Sequence, residues 1–120
     1  YLENDDLCLR VKKKGEKIFI YKKSYITHLG AKAVDSKYTE ELNFSRNWHW
    51  NWSRYYFKKK HHGIINALLF CVPMIIRSYI RCFFHLILND KYKYKIYYCR
   101  ASGLMSSLLN KNSWYRPRLD

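Results

Sequence analysis

Three acidic side chains fall within four positions near the start of the chain. It opens YLENDDLCLRVKKKG, and Glu3, Asp5 and Asp6 are three of only nine acids in a 120-residue protein of net charge +14. Closely placed carboxylates raise one another's pKa and can hold a proton, a cation or a polar hydroxyl. They suit a general base that takes a proton from an alcohol near neutral pH, and they suit a divalent metal ion. The plainer alternative is capping, since acids at a helix start complement its dipole. Capping needs one acid, and here there are three. His28 lies further on, among the small residues of THLGA. A lone His is more often structural than a ligand, so its interest comes from position. The order acids, helix, strand, His can bring the helix start and the strand end to one edge of a sheet.

The elements that must position these groups are legible in outline. Acids in front, lysines behind and Gly15 as a stop predict a short helix, with Leu7 and Val11 on its inner face. Lys17-Ile18-Phe19-Ile20-Tyr21 reads as a short buried strand, Lys22-Lys23-Ser24 as a turn and Tyr25–His28 as a second extended piece. A second region starts near Thr39, a candidate cap for a helix with Glu40 and Glu41 in its first turn. Trp48, Trp50 and Trp52 alternate as a strand would. The length of the segment, and its ending in KKKHHG, favour a helix closed by Gly63.

Residues 64–88, IINALLFCVPMIIRSYIRCFFHLIL, are the most apolar stretch. The uncharged part, 64–76, spans about 20 Å as a helix, short of a hydrocarbon core of roughly 30 Å. Arg77, Arg81 and His85 recur every fourth residue, a narrow cationic stripe beside a wide apolar face. That pattern suits a helix lying in a membrane interface, and Pro73 is expected to kink it. YKYKIYY, after Asp90, reads as a strand or an amphipathic turn. The tail GLMSSLLNKNSWYRPRLD reads as a short helix and an extended end.

Composition narrows the partners. Twenty-three Lys and Arg residues predict attraction to a polyanion: nucleic acid, an anionic membrane surface or a phosphorylated substrate. Aromatics from Trp48 to Phe57 followed by Lys58, Lys59 and Lys60 suit a membrane interface. A helical-bundle core with solvated lysines fits them equally well. The rival reading from another class is a non-enzymatic basic module for a membrane surface or nucleic acid. Nucleic acid is not the expected partner, because no recognised motif is present and the apolar 64–76 stretch is a poor companion for one. Cys8, Cys71, Cys82 and Cys99 form no CxxC pair, which leaves a zinc-ribbon or redox reading little support. Three of them sit among apolar or aromatic neighbours, as small core hydrophobes do, and a reducing compartment is expected. His61 and His62 point about 100° apart on a helix and do not share one ion easily.

The string ENDDLCLRVKKKG, followed by KIFIYKKSYITHLGAKA, resembles the C-terminal end of the catalytic domain of family 2 glycosyltransferases. RNWHWNWSRYYFKKKHHG resembles the aromatic, basic segment that follows that domain in bacterial members acting on cell-surface polysaccharides. The resemblance implies an α/β, GT-A nucleotide-sugar-binding fold, with residues 1–38 as the end of the catalytic domain. Residues 39–120 would be a helical, basic and aromatic, membrane-associating tail. It implies inverting transfer from a nucleotide-sugar donor to a polysaccharide or lipid-linked acceptor, at the cytoplasmic face of the cell membrane. Glu3 matches the leading acid of the family's acidic box and Asp6 its final Asp. Asn4 stands where many relatives carry the Asp usually assigned as base, so Asp5 is an alternative base. His28 matches a position that ligates the donor's divalent cation (Mg or Mn) in some relatives. The Asp-x-Asp that accompanies such a cation is absent from these 120 residues. The chain is therefore expected to be a piece of a longer protein, able to supply the acceptor side alone.

Overall fold

The computed structural model describes residues 1–27 and 35–118. Helix α1 (Glu3–Lys13) comes first, then a 3-10 turn (Ser36–Tyr38), α2 (Thr39–Ile87) and α3 (Lys91–Leu108). The α/β expectation is therefore wrong for the described residues: they contain helices and irregular chain and no strand. Residues 17–21 are irregular chain in no strand ladder, and Phe19 and Ile20 stand 84% and 87% exposed. A strand is stable only when its backbone groups and one face find partners. An apolar run of four residues flanked by lysines has the composition of a strand without the partner. His28 lies outside the described residues.

The core is a three-helix bundle made by breaking α2 in two. Gly63 takes φ 83° and ψ 167°, the single non-helical residue within α2. Positive φ is open to glycine without steric cost, so the chain reverses there and the arms 39–62 and 64–87 run antiparallel. The expected kink lies at Gly63, and helical backbone continues through Pro73. Leu88–Asp90 then turn the chain into α3, whose N-terminus is capped by Asp90, its carboxylate accepting from the Lys93 N–H at 3.0 Å. YKYKIYY thus belongs to a helix. Its alternation of Tyr and Lys imitates a strand, while the decisive signal is the Asp cap. Thr39 does not cap α2, because its hydroxyl donates instead to the Ser36 carbonyl at 2.7 Å.

Tyr55, Ala67, Cys71, Ile75 and Leu104 form one part of the core, and Phe44, Trp48 and Cys99 the other. Residues 110–118 fold back along the first arm, where Tyr115 stacks on Trp48 with centroids 5.9 Å apart. Helix α3 crosses that arm so closely at Gly103 that a Cβ there would collide with the Trp48 carbonyl.

The second arm has an inverted pattern. Toward the bundle it presents Ala67, Cys71, Ile75, Ser78 and Cys82, mostly small residues. Outward it presents Ile65, Leu69, Val72, Ile76, Ile80 and Phe83, with Leu69 71% and Phe83 65% exposed. By length and composition alone, the stretch Ser36–Ile87 that contains this arm is apolar enough to cross a membrane.

Candidate functional site

The acidic start of α1 is brought against the basic end of the first arm. Leu2 precedes the helix in left-handed backbone, and no side chain caps it, so the acids of the first turn are free for tertiary contacts. Asp6 takes them. Lys60 Nζ donates to Asp6 Oδ1 at 2.6 Å, His61 Nε2–H donates to the same oxygen at 2.7 Å, and Arg10 Nε donates to Oδ2 at 2.9 Å. The His61 side chain is 4% exposed and packs on the Phe57 ring at 4.7 Å. The Lys60 ammonium foremost and then the His61 donor, with a small contribution from Arg10, hold the Asp6 carboxyl far below the usual carboxylate range against the opposing effect of desolvation. Asp6 is thus a fixed anion and a poor proton acceptor at neutral pH.

Glu3 and Asp6 both line a cavity of about 330 Å³ between α1, the first arm and the returning tail. Trp52 and Tyr56 form its aromatic wall, stacked at 5.2 Å and 14°. The same pair, with Lys60, borders a neighbouring cavity of about 590 Å³ that extends toward Asn110 and Lys111. His49 closes the first cavity on one side. Its Nε2 lies 2.9 Å from the Tyr115 carbonyl and its Nδ1 2.8 Å from Ser113 Oγ. A carbonyl only accepts, so Nε2 carries the proton and the Ser113 hydroxyl donates to Nδ1 in the neutral ring. Glu3 is 76% exposed along its side chain. Its own backbone N–H, and after it the N-terminal ammonium, hold the carboxyl below its ordinary value. Asp5 is exposed and lines none of these cavities.

Of the residues singled out from the sequence, the structure therefore brings Glu3 and Asp6 to one cavity and leaves Asp5 outside it. His28, and with it the expected metal ligation, falls outside the described residues. Among those residues no group of three His, Cys, Asp or Glu side chains is close enough to hold a metal ion. Asp6 does not fit a divalent cation either, since Lys60 and Arg10 already supply positive charge to its two oxygens. Sequence reasoning did not pair the acidic cluster with KKKHHG. Opposite charges in two separate runs were the available signal.

A second side-chain cluster lies elsewhere on the bundle. Arg54, Arg77, Arg81 and Arg100 line one cavity of about 570 Å³, together with Trp50 and Tyr97. Arg81 donates to the Tyr97 hydroxyl at 2.9 Å, and Arg100 donates to Asn47 Oδ1 at 2.7 Å. Arg54 lies over the Phe70 ring at 5.0 Å. Among the described residues no carboxylate lies within 4 Å of these four arginines. No protein-family model, curated protein or solved structure matches this chain.

Proposed function

We propose that this chain supplies the acceptor side of an inverting glycosyltransferase that uses a nucleotide-sugar donor. It would rest peripherally on the cytoplasmic face of a membrane and take a cell-surface polysaccharide or lipid-linked glycan. The observation that carries the reading is the cavity where Glu3 and Asp6 meet the stacked Trp52–Tyr56 pair. Carboxylates accept hydrogen bonds from sugar hydroxyls, and aromatic faces cover the apolar side of a sugar ring.

In this chemistry a carboxylate takes the proton of the acceptor hydroxyl. The oxygen bonds to the anomeric carbon from the face opposite the nucleoside diphosphate, the bond to that diphosphate breaks, and configuration inverts. Asp6, fixed by three nitrogen donors, orients the hydroxyl and does not take its proton. The proton falls to Glu3, which lines the same cavity and lacks those cationic side-chain partners, while Asp5 lies outside it. The alternative is a non-enzymatic basic module for a membrane surface, favoured by the outward apolar face of residues 64–87.

The test is to titrate the chain with oligosaccharides while following the Trp52 indole by NMR. Saturable shifts that weaken in Asp6→Asn and Glu3→Gln support the acceptor role. An indole unmoved by every glycan at millimolar concentration removes it. The chain alone should turn over no nucleotide sugar, and turnover would contradict an acceptor-only role.

A further inference from the structure

We infer that the arginine-lined cavity is a binding site for the phosphate of an anionic membrane lipid, whose hydrocarbon lies along the outward face of the second arm. Four guanidinium groups around one cavity repel one another, and such an arrangement is stabilised by an anion. Neutral partners position three of them. The Tyr97 hydroxyl orients Arg81, Asn47 orients Arg100 and the Phe70 ring carries Arg54. The Arg100 guanidinium also lies over the Tyr97 ring at 5.1 Å. Each side chain is held in place while its charge stays unneutralised. Planar forks presented in this way match phosphate oxygens two at a time.

The lipid assignment comes from what borders the cavity. Arg77 and Arg81 follow the outward apolar row of the second arm by one helical step each, after Ile76 and Ile80. At about 100° per residue they lie on the flank of that row. A helix with apolar residues on one arc and arginines on its edge places those arginines at headgroup depth when the arc is in hydrocarbon. Trp50, 44% exposed, lines the same cavity, as amphipathic aromatics do at an interface. The net charge of +14 draws the whole chain toward an anionic surface.

This inference rests on the peripheral-membrane part of the function proposed above and names the surface that performs it. The carboxylate cavity shares none of its residues, so the two sites fail separately. The experiment is co-sedimentation of the 120-residue chain with phosphatidylcholine vesicles, with and without phosphatidic acid, alongside titration with inorganic diphosphate. Arg77→Gln alone is the mild variant, because Arg77 makes no side-chain hydrogen bond among the described residues. Arg54→Gln/Arg77→Gln is the stronger one. Lys22→Gln/Lys23→Gln removes equal charge from an exposed turn outside the bundle.

The expected result is binding that depends on phosphatidic acid. Arg54→Gln/Arg77→Gln should weaken it by about thirtyfold, Arg77→Gln by about tenfold, and the lysine control by a few-fold only. Circular dichroism should be unchanged in all three. Equal losses in the arginine and lysine variants would assign binding to diffuse charge and overturn the site. Diphosphate bound in water as tightly as the vesicles would overturn the lipid half. No vesicle binding at all would overturn both the site and the membrane reading. A second copy of the chain covering the apolar face, seen as a stable dimer that ignores vesicles, would do the same.

Discussion

Gly103→Ala separates a buried helix crossing from an exposed helical glycine by the sign of its effect. In an open helix interior the change stabilises by about 1 kcal/mol, because Ala loses less backbone freedom than Gly. Here the added Cβ would collide with the Trp48 carbonyl oxygen and lie 3.1 Å from its carbon and 3.3 Å from Trp48 Cα. These are backbone atoms, so no rotamer change relieves them. Helix α3 must withdraw by about 1 Å, and a gap of that size forfeits a quarter to a half of the dispersion energy across the interface. Over-packing of a core costs about 1–3 kcal/mol. The Cys99, Ala101 and Leu104 contacts loosen in addition. After the propensity gain, the net expectation is a loss of about 2 kcal/mol. Urea denaturation followed by far-UV circular dichroism reads it as a lower midpoint with unchanged slope. Because Arg100 is one turn before Gly103 on α3, the variant should also widen the arginine cavity and weaken its anion binding. A variant as stable as the parent, or more so, would refute the close crossing and the bundle built on it.

Three further outcomes follow from the same geometry. Asp6→Asn should release α1, seen as faster amide exchange across residues 3–13 with the bundle's own Tm unchanged. Because the folded Asp6 pKa is depressed, this docking persists above the ordinary carboxylate value and is lost as pH falls through the folded one. Glu41, whose Oε1 accepts from Lys95 Nζ at 2.7 Å, is likewise lowered, first by that hydrogen bond. Glu41→Gln should cost about 1 kcal/mol after allowance for solvent screening. That difference should be full above pH 4.5 and vanish in more acid solution; a pH-independent difference would refute the pairing. Burial pushes the Cys71 thiol up to about 11 and raises those of Cys82 and Cys99, while Cys8 is exposed. A thiol reagent should therefore modify Cys8 rapidly in the native chain and the other three cysteines only on unfolding. Fast labelling of Cys71 would contradict the core.

Local signals were legible in the sequence, and pairing between distant segments was not. The α1 helix and the helical reading of the Trp48–Trp52 region rest on charge placement, length and a glycine stop, all local properties. Lys17–Tyr21 has strand composition, but whether it pairs depends on residues elsewhere, and its apolar side chains lie exposed. The Lys–Tyr alternation of residues 91–98 misled for a related reason. Period two in hydropathy says little where half-polar tyrosines lie on a helix packed against two arms. For the site, the acids were conspicuous by scarcity and the KKKHHG run by charge. Their meeting at Asp6, Lys60 and His61 depends on how α1 docks. The four arginines are scattered from position 54 to 100 and converge only through the turns at Gly63 and Leu88–Asp90.

The second arm sets these observations in one physical frame. A helix in water buries its large apolar side chains, and each Leu, Ile or Phe left out forfeits about 1.5–3 kcal/mol. This arm does the reverse, with Ala67 and Cys71 fully buried and Ile65, Leu69 and Phe83 outward. Small residues let helix backbones approach where packing must hold them together, which is the habit of helices in an apolar medium. Large residues on the other side then cost nothing if hydrocarbon covers them. The arginines sit at the seam between the two environments, where a phosphate headgroup would lie. A soluble bundle would gain from polar substitutions along Leu69, Ile76 and Phe83. For a bundle that rests on lipid, the same substitutions should raise solubility and abolish vesicle binding together. If Leu69→Gln/Phe83→Gln improved solubility and left vesicle affinity intact, the outward face would have no part in membrane contact.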